Sequence, residues 1–295
     1  MPLRIGITLG DPAGVGPEII RSALESGKLA NDIDYKVIGQ VGAVPAGSPS
    51  PDSARAAFAA MEEAAGLANS GEIDAIVTGP IHKARMAEIG FKFPGQTEFF
   101  AARSGTTNYA MLLTGGAITV ALVTTHVPLR EVAASLNTSE IVRVGKLLDN
   151  FLRRRGKDVP RVAVAGLNPH AGESGKIGRE EIEIIAPAIA ELNQSLLTSH
   201  QSPSRFTGPV PPDTLFFHLA NEKWDGALCM YHDQGLIPLK LHAFHFGVNT
   251  TLGLPFPRTS PDHGTAFDIA GKGTARPDSM IAAINLAAEL AQTKS

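Results

Sequence analysis

Cysteine is nearly absent from these 295 residues. The only one, Cys229, excludes an intramolecular disulfide and fits a reducing compartment. It lies inside the apolar run Ala227-Leu228-Cys229-Met230, where a small buried hydrophobe is the expected role. Long apolar runs are missing as well: none reaches the ~18 residues that a membrane span requires. The chain enters a strand pattern at once, Leu3-Arg4-Ile5-Gly6-Ile7-Thr8, with no basic stretch and apolar signal core before it. A cytoplasmic protein with no membrane partner is therefore expected. An excess of one charge is lacking too. Lys and Arg number 26 against 29 Asp and Glu, a net charge of -3, which makes no electrostatic case for nucleic acid. The signatures GxGxxG, GxxxxGK[ST] and HExxH do not occur, so no single motif announces a nucleotide or a zinc-protease helix.

What the chain does contain is the composition of an ordinary globular protein, 43% hydrophobic and 19% charged. At this length a single core usually stops growing, and two lobes are expected, residues 1–105 with 255–295 and residues 106–254. Apolar runs at 3–8, 35–39, 75–78, 111–113, 118–123 and 161–166 alternate with helical spacings. One alanine-rich helix is expected from a cap at Asp52 or Ser53 to near Asn69, and another spans 139–154. The alternation predicts an α/β fold with mainly parallel sheet covered on both faces.

Three histidines stand in one relation to these runs. His126 closes Val120 to Thr125, His170 closes Val162 to Pro169, and His232 follows Ala227 to Met230. Carboxyl ends of strands are where open α/β sheets place ligands, and three imidazoles with an open fourth position make a catalytic metal site. A lone histidine after a strand is more often a hydrogen-bonded loop residue, so both readings stand at this point. The stretch after Met230 also brings Asp233, Gln234 and Lys240 to the same strand end.

Several long motifs run through the chain: Gly10-Asp11-Pro12-Ala13-Gly14, Thr78-Gly79-Pro80-Ile81-His82-Lys83, Thr124-Thr125-His126, Leu167-Asn168-Pro169-His170-Ala171-Gly172-Glu173, Tyr231-His232-Asp233-Gln234-Gly235 and Asp262-His263-Gly264-Thr265-Ala266. Together they resemble the 4-hydroxythreonine-4-phosphate dehydrogenase family of pyridoxal phosphate biosynthesis and its close paralogues. The resemblance implies a two-lobed α/β/α fold of the isocitrate and isopropylmalate dehydrogenase type, with the active site in the interlobe cleft. It implies a homodimer whose subunits share each site, the second lobe carrying metal ligands and dimer contacts. Metal ligands fall on His126, His170 and His232, and substrate contacts on Thr97, Lys240, Asn249 and Arg258. The loop from Asp262 to Gly273 is similar to an adenosine-binding loop, so His263, Gly264, Thr265, Ala266, Asp268 and Gly271 are expected to hold NAD or NADP.

The implied reaction is the NAD-dependent oxidation and decarboxylation of 4-phosphooxy-L-threonine to 3-amino-2-oxopropyl phosphate. A divalent metal, zinc first with magnesium, manganese or cobalt behind it, would acidify the alcohol. Lys240 and Arg258 offer charge-assisted donors to a small phosphorylated hydroxy acid, and Asn249 completes the cradle. Asp233, Asp213 and Lys240 are the candidates for proton transfer or for orienting a histidine. Two departures from the family pattern stand out. Gln96 replaces the substrate-contacting histidine of Gly-His-Thr-Glu-Phe, keeping donor and acceptor but never becoming cationic. The connection from Gly39 to Asp52 is short. Gln96 keeps open a paralogue acting on 4-phosphorylated threonate or erythronate or on a carboxylated cis-dihydrodiol. A metabolite-binding module without turnover is the non-enzymatic alternative.

Overall fold

The computed structural model describes residues 2–42, 44–199 and 205–293. It divides into two compact units, Met1–Thr107 with His245–Lys294, and Asn108–Phe244. The first unit begins with β1 (Leu3–Thr8), α1 (Gly16–Leu24), β2 (Ile33–Ile38), α2 (Pro51–Asn69), β3 (Ala75–Thr78), α3 (Lys83–Glu88) and α4 (Gln96–Arg103). The second unit follows with β4 (Ala110–Gly115), β5 (Ile118–Leu122), α5 (Leu129–Ser135), α6 (Thr138–Arg154), β6 (Arg161–Ala165), α7 (Ala186–Ser199), β7 (Arg205–Val210), α8 (Pro212–Ala220), β8 (Gly226–Cys229) and α9 (His232–Ala243). The chain then returns to the first unit for β9 (Val248–Leu252), β10 (Arg258–Pro261) and α10 (Asp278–Gln292).

In the first unit β1 lies between β2 and β3, both parallel to it, while β10 joins β3 in parallel and pairs antiparallel with β9. In the second unit β5 pairs antiparallel with β4 and parallel with β8, and β6 lies parallel between β8 and β7. Parallel neighbours need long crossovers, and the helices between the strands supply them. Every residue of β3, β5 and β8 is buried, so both faces of those strands are covered, as the unbroken apolar runs predict. The core of the second unit gathers Leu122, Ala165 and Cys229 from strands, Leu215 from α8, Leu239 from α9 and Trp224 from the connection before β8. Cys229 is fully buried there, and burial pushes its thiol above the ordinary range.

One local expectation needs correction. The cap of α2 is Ser50, not Asp52 or Ser53, and Ser50 and Ser53 form a reciprocal capping box. Pro51 is the reason: its preset φ and missing N–H suit the first helical position, which places the cap at Ser50 just before it. In the second unit β7 runs to Val210 and α8 starts at Pro212, so only Pro211 separates them. Where β1 and β3 end, backbone meets backbone: Gly79 N donates to Thr8 O at 2.8 Å, and a Cβ at Gly79 would lie 2.4 Å from Leu9 O. Only glycine permits that approach. No helix among the described residues is long and apolar enough to cross a membrane.

Candidate active site

The strand ends of the second unit are tied together by two side chains. Thr124, just past β5, donates its hydroxyl to Met230 O at 2.7 Å while its backbone N–H donates to the same oxygen at 3.2 Å. Gln234, buried in the first turn of α9, accepts from Met230 N at 2.7 Å and donates to Gly166 O, beyond β6, at 2.8 Å. These bonds hold the segments that carry His126 and His232. Their rings lie 5.7 Å apart between centroids at an interplanar angle of 42°. Nδ1 of His232 sits 2.6 Å from Asp233 Oδ1, so the carboxylate orients the ring and turns Nε2 into the nitrogen available for a proton or a ligand.

His170 occupies a different setting. From His170 to Ser174 the backbone runs through five consecutive left-handed residues, His170 at φ 52° and Glu173 at φ 45°. Left-handed backbone costs ~1–2 kcal/mol for each residue with a Cβ, and such strain persists only where surroundings over-determine it. Glu181 braces the entry to the turn and packs against Gly172: its buried carboxylate accepts from Leu167 N at 2.8 Å, Asn168 N at 2.7 Å and Asn168 Nδ2 at 3.0 Å, and a Cβ at Gly172 would lie 2.6 Å from its Oε2. Among the described residues no three His, Cys, Asp or Glu side chains form a metal-binding group. Two of the expected ligands therefore meet, and His170 does not join them. Asp213 is exposed on the first turn of α8, whereas Lys240 is half-buried on α9.

In the first unit the expected substrate residues form a polar cluster. Arg258 is 3% exposed, and its Nη2 donates to Thr78 Oγ1 at 2.5 Å and its Nη1 to Thr251 Oγ1 at 3.4 Å. Thr251 Oγ1 also lies 3.4 Å from Thr97 Oγ1. Gln96 Nε2 donates to Gly79 O at 3.1 Å. Burial pushes the Arg258 guanidinium down to about 10, against the opposing pull of Glu98. Arg258 Nε, Asn249 Oδ1 and Gln96 Oε1 are buried without a hydrogen-bond partner among the described residues. Buried polar groups are normally satisfied, so these three atoms are candidates for contact with a ligand.

The expected cofactor loop packs on the start of α1. Val15 N donates to Thr265 O at 2.9 Å, and Glu18 Oε2 accepts from Gly271 N at 3.0 Å and Gly273 N at 3.4 Å. A Cβ at Gly14 would come within 2.8 Å of Thr265 O, so this docking also needs glycine. His263, Gly264, Asp268 and Gly271 are exposed, Ala266 is at φ 42°, and Thr265 is buried. Beside the loop lies a cleft of about 820 Å³ bounded by Pro12, Gly14, Glu18, Arg21, Val41 and Lys272. Exposed backbone, a carboxylate at Asp268 and an adjoining cleft suit an adenosine-bearing cofactor. For a divalent cation the fit is partial: His126 and His232 suit it in type and spacing, and the third donor is not assembled.

Sequence reasoning missed the residues that hold this geometry. Thr78, Thr124 and Gln234 lay inside the motifs but were given no role of their own. Glu181 and Thr251 carried no signal, because their partners are distant in sequence.

Comparisons with known proteins follow the same lines. The family model for the pyridoxal phosphate biosynthetic protein PdxA matches residues 18–287. A 4-hydroxythreonine-4-phosphate dehydrogenase from Desulforapulum autotrophicum is 45% identical, over 96% of this chain and 94% of the relative. The crystal structure of a 4-hydroxythreonine-4-phosphate dehydrogenase from Klebsiella pneumoniae is 38% identical and superimposes with a TM-score of 0.81, covering 99% of this chain and 100% of that one. A β-decarboxylating dehydrogenase from Thermococcus kodakarensis, 17% identical with a TM-score of 0.55 over 98% of this chain and 82% of that one, shares the fold alone. The motif resemblance and the expected fold class are thus borne out, and the chain belongs to the family of the pyridoxal phosphate biosynthetic protein PdxA.

Proposed function

We propose that the chain is an oxidoreductase that oxidises 4-hydroxythreonine-4-phosphate at its secondary alcohol and decarboxylates the product. The C3 alcohol becomes a ketone by loss of a hydride and a proton. The resulting β-keto acid loses carbon dioxide, and C2 takes up a proton, giving 3-amino-2-oxopropyl phosphate. NAD or NADP on the 263–271 loop would accept the hydride, and a divalent cation, zinc above magnesium, manganese or cobalt, would acidify the alcohol and stabilise negative charge during decarboxylation.

The observation that carries this reading is the His126–His232 pair at the ends of β5 and β8, with the second ring oriented by Asp233. The third imidazole is His170, which we assign to a second subunit of a homodimer. An apolar stripe supports that assembly: Ile237 and Leu241 on α9, the helix that begins at His232, and Phe244 just past its end are 66%, 89% and 71% exposed. Arg258, Asn249 and Thr97 meet the phosphorylated acid, with Lys240 as a further cation. Asp233 fixes the tautomer of His232, while Asp213 and Lys240 are the proton carriers proposed for C2. A cytoplasmic compartment suits the free Cys229.

Gln96 sustains a second reading, a 4-phosphothreonate or 4-phosphoerythronate dehydrogenase or a carboxylated cis-dihydrodiol dehydrogenase. The test is reduction of NAD or NADP by the purified protein with each substrate after metal removal and add-back. Turnover of 4-hydroxythreonine-4-phosphate restored by a divalent metal is expected. His126→Ala and His232→Ala should each lower bound metal below half the wild-type content. Binding of all substrates without turnover would favour a metabolite-binding module and overturn the proposal.

A further inference from the structure

We infer that Gln234 is a positioning residue for the cation site, its one amide fixing the distance between the strand end that presents His232 and the turn that presents His170. The inference rests on the proposed reading of those histidines as ligands and names the group that holds them in place.

The amide has one orientation. Met230 N–H can only donate and Gly166 O can only accept, so Oε1 faces the first at 2.7 Å and Nε2 faces the second at 2.8 Å. Gln234 is the third residue of α9, and Tyr231, at the cap position, offers no side-chain hydrogen bond to that helix. In the usual capping box a third-position Gln reaches back to the N–H of the cap residue. Here it reaches one residue further, to Met230 just past β8, and the bond closes a ring of backbone around His232. On its other side the amide leads to the second histidine. A Cβ at Gly166 would lie 3.0 Å from Ala171 Cα, so Gly166 is packed against the residue that follows His170.

Thr124 adds His126 to the same frame, through its hydroxyl on Met230 O at 2.7 Å. Each subunit thus carries its three imidazoles on one hydrogen-bonded frame with Gln234 at the centre, His126 and His232 for one site and His170 for that of its partner. A cation tolerates little error in such a frame. Ligand distances hold to within about 0.2 Å, and losing a hydrogen bond behind a ligand typically costs about 10- to 100-fold in affinity. The bland alternative is that Gln234 merely satisfies two buried backbone groups. That role predicts lost stability with an unaltered site.

Cobalt(II) is the probe, because its visible absorption reports the number and geometry of its ligands without any turnover. The metal-free protein is titrated with cobalt, giving Kd and the absorption per bound ion. Gln234→Met should raise the Kd about 10- to 100-fold and weaken that absorption. Leu148→Ala is the control for lost stability alone: Leu148 is buried on α6 and packs at Gly226, the start of β8 and the end away from His232. It should lower the urea midpoint and leave Kd and spectrum within about twofold of the wild type, since distant sites act independently. A folded Gln234→Met protein with the wild-type Kd and spectrum, or a Leu148→Ala protein that loses as much affinity, would overturn the inference. If Gln234→Met does not fold, Gln234→Asn decides: its amide is one methylene too short to span both partners, and the same loss is expected. Wild-type binding by that variant, or failure of both to fold, assigns Gln234 to the core alone and overturns the inference. A wild type that binds cobalt while the variants match it leaves the proposed function standing, whereas one that binds no divalent cation sinks both.

Discussion

Replacing Gln234 with Met removes the hydrogen bonds at 2.7 and 2.8 Å that join Met230 N and Gly166 O through one buried amide. Met is unbranched and similar in length, so little cavity is left and the cost is almost entirely that of the bonds. Two net hydrogen bonds are worth about 1–3 kcal/mol, and a backbone N–H stranded in the interior adds about 1–3 kcal/mol of lost solvation. A loss of about 2–6 kcal/mol is expected. Thr124→Val is the internal comparison: it removes one bond to Met230 O, but the backbone N–H of Thr124 still serves that carbonyl, and the expected loss is about 1 kcal/mol. The chain's single tryptophan, Trp224, lies in the core of this unit, so its fluorescence in urea follows the unit of interest. A Gln234→Met cost below about 1 kcal/mol, or one no larger than that of Thr124→Val, would refute the reasoning, since water would then be serving the freed groups.

Arg258→Met should leave the urea midpoint unchanged or raise it, because a buried guanidinium is replaced by apolar volume, while kcat/KM falls by at least ~100-fold; a destabilised but active variant would contradict the binding role. Glu181→Gln turns one acceptor oxygen into a donor facing Asn168 Nδ2 and should cost about 1–3 kcal/mol in urea denaturation, a neutral result showing that the left-handed turn is held otherwise. Asp225 supplies a pH dependence. Burial raises its carboxyl, but hydrogen bonds from Arg161 and Lys157 together outweigh that and hold it below the ordinary value. A depressed folded pKa means stability that is full above about 4, the unfolded value, and lost as pH falls through the folded one. Asp225→Asn should therefore flatten the decline of the urea midpoint below about pH 4; an unchanged slope would refute the assignment.

Much of the candidate site was legible because its residues sit at strand ends inside motifs. Unbroken apolar runs marked β3, β5 and β8, and the histidines after β5 and β8 were picked out by position before any likeness to a family entered. Arg258 was less transparent: a lone arginine after a Pro-rich turn reads as a solvated surface charge, yet it lies 3% exposed beneath α4, with its guanidinium beside the Phe100 ring. The left-handed turn at His170 could not be read at all. Only Gly172 strongly favours that conformation among residues 170 to 174, and Glu181, which braces the residues entering the turn, lies beyond the reach of local preference.

By itself the sequence determined the alternation of strands and helices, the family, and which side chains bring chemistry, because periodicity and motif identity depend on near neighbours in the chain. Which of those side chains meet was decided by tertiary structure alone. Thr78 and Arg258 are 180 residues apart and share a hydrogen bond, and His126 meets His232 while His170 does not join them. Such pairings follow from strand order and register, which bring distant segments side by side and are set by the burial of both sheet faces together.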